Sequence, residues 1–182
     1  GQLPAIVTGE DTWTQYMIDS GQTLPAQSCI NTDTDERAKT DGLLPGVKAA
    51  YSVADVQWPA AFGASATVLY YNKNHFIAAG LDPDKPPTNL AELRTAAEAL
   101  KKVPASAGGP AGEPYAMKLD PWFIENLTSG EKQTLVNENN GRDGNRATEG
   151  TANNEATTEA LTWLAQMKAD GLLNAIPNTT LI

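Results

Sequence analysis

At 182 residues the chain is long enough to bury a real core, as one sizeable domain or as two lobes neither of which need be complete. Its 22 acidic and 13 basic residues give a net charge of -9, which disfavours nucleic acid as a partner because phosphates need concentrated Lys and Arg. One cysteine, Cys29, and one histidine, His75, exclude an internal disulfide and the common zinc clusters, and no run approaches the roughly 20 apolar residues of a membrane span.

Taken in chain order, Pro4 to Thr8 reads as a strand. A helix follows with Trp13, Tyr16 and Met17 on one face, capped by Asp11 or Thr12 and closed by a left-handed Gly21. The loop Gly9-Glu10 joins the strand's carboxyl end to that helix, where open α/β sheets tend to bind ligands. Residues 22–47 are polar and turn-rich, and the acids of "NTDTDERAKTD" lack the pivot glycine and closing glutamate of a calcium loop, so the run reads as a solvated loop or frayed helix.

Ala66 to Tyr71 is a β-rich run, so Tyr70 and Tyr71 point to opposite faces, one inward and one outward. Asn72 caps a short helix with Phe76 and Ala79 inward and Gly80 closing it. His75 sits in that amphipathic helix rather than in a glycine-rich elbow, which argues against a nucleophilic triad. Pro83, Pro86 and Pro87 then block helix, and Thr88 caps a second one with Leu90, Leu93, Ala97 and Leu100 at helical spacing and Lys101-Lys102 at its end. "VPASAGGPAGEP" at 103–114 is the clearest break in composition, a linker or long loop between lobes. Beyond it "PYAMKL" reads as a strand, "PWFIENLTSG" as a helix, and "NENNGRDGN" as a turn at the tip of a hairpin. A last helix runs from an Asn153 or Asn154 cap to Gly171, with Ala160, Leu164 and Met167 on one face and Trp163 beside them. Trp13 and Trp163 both read as core.

The order "PAIV", "MIDSGQTLP", "VLYYNKNHFIAAGLDPDKPPTNLAEL", "WFIENL" and "NNGRDGNRATEGTANNEATTEALTWLAQMKADGL" resembles the family 1 extracellular solute-binding proteins of ABC importers, with the glycerol-3-phosphate and oligosaccharide binders nearest in pattern. The departure is at Asn89, where the family usually has Trp. The resemblance implies an α/β fold of the type II periplasmic-binding-protein class, with two lobes joined by crossover strands, both incomplete in an internal fragment. Residues 1–104 would be part of the first lobe, 105–113 the crossover loop and 114–182 part of the second. It also implies a monomer with no enzymatic activity and no cofactor. Such a protein captures a carbohydrate between its lobes, or else glycerol-3-phosphate or a glycerophosphodiester, and delivers it to permease subunits. Its location would be extracellular or periplasmic, with a lipid anchor.

Three residues match the family's ligand positions. Glu10 would accept two ligand hydroxyls, although an acid at a helix start is also stabilised by the dipole alone. Ser65, in "FGASAT", would offer a hydroxyl to a phosphate or sugar oxygen, or is simply a loop serine; the upstream "WPAAFG" is shifted against the family's Pro-Phe. Trp122, at a strand-to-helix junction, would stack on a pyranose or a choline-like cation, or is ordinary core. Lys118, Arg142 and Arg146 are the cations available to a phosphate ester. The competing class, a carbohydrate-active hydrolase using Glu10, needs a second carboxylate that the sequence does not place.

Overall fold

The computed structural model describes residues 4–177 of the chain. By contacts the chain divides into two compact units, one comprising residues up to Ala66 with Val136–Glu149, the other Thr67–Leu135 with residues from Gly150 onward. Helices and strands are mixed in the order α1 (Thr14–Ser20), α2 (Ala26–Thr32), α3 (Thr34–Asp41), α4 (Pro45–Ala50), β1 (Ser52–Val53), β2 (Val56–Gln57), α5 (Lys73–Ala78), α6 (Leu90–Lys101), β3 (Tyr115–Leu119), α7 (Pro121–Gly130), α8 (Asn137–Gly141), α9 (Glu155–Ala169) and β4 (Leu173–Pro177).

The second unit holds the larger core. β3 and β4 pair in parallel with Tyr115 opposite Leu173 and Leu119 opposite Pro177, so the chain between them has to cross over, and it does so through helices. α9 lays Leu164 and Met167 against Leu172 and Leu173, with Ala97 of α6, Tyr115, Met117, Ile124 and Trp163 around them. Trp163 turns its indole N–H to the Leu90 carbonyl at 3.1 Å, so its polar edge is satisfied while its ring packs. Thr128 and Thr157, both buried, pair hydroxyl to hydroxyl at 2.9 Å across α7 and α9. A satellite cluster of Phe76, Ala96 and Leu100 takes in Tyr71, whose hydroxyl donates to the Pro83 carbonyl at 2.8 Å, while Tyr70 faces solvent.

The helix caps follow local chemistry. Asn72 accepts from the N–H groups of Asn74 and His75, and Asn154 accepts from that of Thr157. At α6 the cap is Asn89 rather than Thr88. Asn89 takes the Glu92 N–H at 2.9 Å and the Glu92 carboxylate returns to Thr88 N–H at 2.8 Å, so the carboxylate reaches one residue beyond the cap of an ordinary capping box. Those bonds from Thr88, its backbone N–H first, hold the Glu92 carboxyl below the usual range. The composition break at 103–114 is built into the second unit: Gly109 is buried, donates its N–H to the Pro104 carbonyl at 3.1 Å, and sits with no room for a side chain against Val103.

The first unit departs further from the sequence expectations. Pro4 to Thr8 belongs to no sheet, and Ile6 is 88% exposed. Ala66 to Tyr71, which but for Ala66 belongs to the second unit, is likewise in no sheet. A β-prone run becomes a strand only when a neighbour takes its N–H and C=O groups, and among the described residues neither run meets one. The polar segment 22–47 holds α2, α3 and the start of α4, so the run read as a loop or frayed helix takes the helical alternative; Asp33 starts α3 by accepting the Asp35 N–H at 2.9 Å, and Pro45 opens α4. The first helix begins later than its expected caps, with a tight 3-10 turn over Asp11–Trp13 preceding Thr14. Gly21 closes it at φ 62°, as a left-handed cap. "NENNGRDGN" is a turn but not a hairpin tip: α8 is a single turn of opposite hand, with φ near +50° at Glu138, Asn139 and Asn140, packed beside the β1–β2 turn through Ala54 N–H to Arg142 C=O at 3.0 Å.

Candidate functional site

In the first unit the loop carrying Glu10 enters the Asp11–Trp13 turn in extended conformation, and the turn closes with the Trp13 N–H on the Glu10 carbonyl at 3.0 Å. The Glu10 side chain caps nothing. Thr14, buried beneath, donates its hydroxyl to the Asp11 carbonyl at 2.6 Å and ties the turn down. Trp13 is 52% exposed, contrary to the expectation of core, because its indole lies along the backbone of Gly9 instead of under a helix: a Cβ on Gly9 would stand 3.0 Å from Trp13 Cε3. Ser65 is exposed on an irregular stretch, just beyond Gly63, whose carbonyl is held by the Tyr51 hydroxyl at 2.5 Å. No hydrogen bond joins Ser65 to Glu10.

The unit's cations differ in availability. Arg146 pairs with Asp19, which also accepts from Gln15 Nε2 at 3.0 Å. The Gln15 bond foremost, then Arg146, hold the Asp19 carboxyl below the ordinary range. Arg142 contributes its backbone to the turn, while its guanidinium makes no hydrogen bond or ion pair among the described residues.

In the second unit Trp122 stands at the carboxyl end of β3, on the first turn of α7. Asp120 caps that helix by accepting the Trp122 N–H at 3.1 Å and faces Lys118 Nζ at 3.6 Å. The Asn126 amide donates to the Trp122 carbonyl at 2.7 Å. The indole, 37% exposed, meets Phe123 edge to face with centroids 5.2 Å apart, so one side packs and another stays open. Next to this junction is an apolar groove of about 420 Å³ lined by Met117, Leu119, Pro121, Ile124, Leu135, Leu161 and Leu164, with the acids Asp120 and Glu125. Asp120 was legible as an acid directly before a helix-starting proline; the groove was not, because its residues come from three separate stretches. Burial raises the Tyr115 hydroxyl's pKa at the far end of β3. Among the described residues no group of His, Cys, Asp and Glu is gathered to hold a metal ion.

What the arrangement offers is hydrogen bonding and stacking: free carboxylate and indole groups in the first unit, an indole at a strand-to-helix junction in the second. The family model for bacterial extracellular solute-binding proteins matches residues 1–180. The sn-glycerol-3-phosphate-binding periplasmic protein UgpB of Yersinia pestis bv. Antiqua (strain Antiqua) is 32% identical over 155 residues, covering 81% of this chain and 33% of the relative. The protein of the same name from Brucella abortus (strain 2308) is 36% identical over 115 residues, covering 61% of this chain and 25% of the relative. The chain thus spans about a third or less of the length of these curated relatives.

Proposed function

The chain belongs to the bacterial extracellular solute-binding protein family, and from that premise we propose that it captures a small hydroxylated solute between two α/β lobes and hands it to the permease of an ABC importer. The solute class is a glycerol phosphate, because relatives matching four-fifths of the chain are named as sn-glycerol-3-phosphate-binding proteins, and a glycerophosphodiester shares that glycerol phosphate group. Glu10 and Ser65 hold the hydroxylated part and Trp122 covers an apolar face of the ligand. Binding is reversible and involves no bond making: ligand contacts to both lobes favour the closed form, and closure is what the permease reads. The carrying observation is the family match over residues 1–180, supported by an exposed indole at the carboxyl end of a parallel strand, where α/β proteins bind ligands. That same indole supports a second reading, a neutral oligosaccharide, since a pyranose has the flat C–H face that stacks on tryptophan.

Calorimetric titration of the protein with sn-glycerol-3-phosphate, glycerophosphocholine, maltose and trehalose tests both readings. Saturable heat with a phosphate ester and unchanged ligand afterwards is the expected result. Saturation with a sugar alone moves the solute class to carbohydrate. Silence with all four, or appearance of a hydrolysis product, defeats the proposal.

A further inference from the structure

We propose that Trp13 is a solute-stacking residue, its indole and the Glu10 carboxylate forming together a two-point element for a polyhydroxylated carbon skeleton; this rests on the solute-binding reading above. Helical spacing placed Trp13 in the core, yet half of it faces solvent. It is nonetheless fixed. The ring lies on Gly9, where a Cβ would come within 3.0 Å, and its backbone N–H closes the turn on Glu10 at 3.0 Å. A glycine is what lets the backbone come this close to the ring, while about half of the residue stays open to solvent.

The polar groups of the pair are unspent. The Glu10 side chain caps nothing, and among the described residues neither its carboxylate nor the indole N–H has a partner. A carboxylate accepts and a ligand hydroxyl donates, so Glu10 takes hydroxyls in pairs, while the indole face covers the C–H groups between them. The same negative charge repels a phosphate at short range, so the element takes the hydroxylated end of a ligand rather than its phosphate. A glycerol moiety and a pyranose share this chemistry.

The test uses calorimetry on the unmodified chain, Trp13→Ala and Trp13→Phe, with sn-glycerol-3-phosphate and maltose as probes and thermal unfolding alongside. Trp13→Ala weakens whichever probe binds by about three- to tenfold, as loss of one aromatic contact does. Trp13→Phe retains most of the affinity, and the midpoint of unfolding barely moves in either variant. Which probe responds tells glycerol from pyranose. Unchanged affinity in Trp13→Ala overturns this inference and leaves solute binding intact, whereas failure of the unmodified chain to bind either probe overturns both. Loss of binding in both variants together with a lowered midpoint also overturns it, since Trp13 is then a packing residue.

Discussion

Gly109→Ala decides whether the glycine- and proline-rich stretch 103–114 is a tether or a built part of the second unit. A Cβ there would lie 2.0 Å from the Val103 carbonyl oxygen, 2.7 Å from its carbon and 2.9 Å from its Cβ. The first two are backbone atoms, so no side chain can rotate aside; the loop has to shift and stretch the Gly109 N–H bond to Pro104. The φ at Gly109 lies outside the left-handed region, so left-handed strain adds nothing to the contact as a cause of loss. Overpacking of this kind costs about 2–3 kcal/mol, which for a chain of this size lowers the unfolding midpoint by roughly 4–12 °C. Gly112→Ala is the control: nothing lies within 4 Å of its Cβ, and it gains about 0.4–1 kcal/mol from a stiffer unfolded chain. Thermal and urea unfolding followed by tryptophan fluorescence separate the two. If Gly109→Ala is as harmless as Gly112→Ala, the stretch is a tether and the packing argument fails.

Met167→Ala, at a fully buried position of the main core, loses about 2–5 kcal/mol in urea unfolding. Asp19 is held below its ordinary pKa in the folded state, so its contribution is present above the unfolded value near 3.8 and disappears as pH falls through the folded one. The Gln15 bond is the larger cause, so Gln15→Ala leaves a shallower loss of stability in acid unfolding and Arg146→Ala a smaller change in the same direction, with the proteins converging at the lowest pH. Arg142→Ala lowers affinity for sn-glycerol-3-phosphate about tenfold or more and leaves maltose untouched if its unpaired guanidinium meets the phosphate; calorimetry reads both.

Elements specified by a few consecutive residues were legible in the sequence, whereas a strand read from pattern formed only where a distant partner met it. Asn72 and Asn154 cap helices where their spacing says they should, and Gly21, Gly80 and Gly171 take the left-handed conformation that closes one. α9 buries Ala160, Leu164 and Met167 as its 3.6-residue period predicts. Thr88 and Asn89 show the limit of such reading, since two adjacent capping types compete and the side-chain reach of Glu92 uses both. Strands obey a different rule. "YAMKL" pairs because Leu173–Pro177 returns beside it 58 positions later, while the equally β-prone "ATVLYY" finds no neighbour and stays outside any sheet. Propensity can mark such a run but cannot supply its hydrogen-bonding partner.

The same division runs through the candidate site. Local pattern places Glu10 in a loop entering a helix and Trp122 at a strand-to-helix junction, and the structure leaves both side chains accessible; their ligand roles come from the family resemblance and stand as proposals. Trp13 was misread for a physical reason. Periodicity says which residues share a face of a helix, but whether that face is covered depends on what packs against it, and here the first turn tightens before α1 begins. The cue that was present is Gly9, four residues earlier, the only residue small enough for an indole to lie on. In a loop beside an unpaired acid, a glycine that makes room for an aromatic ring is better evidence of a binding surface than the aromatic residue alone, because it shows the backbone giving way to hold the ring in place.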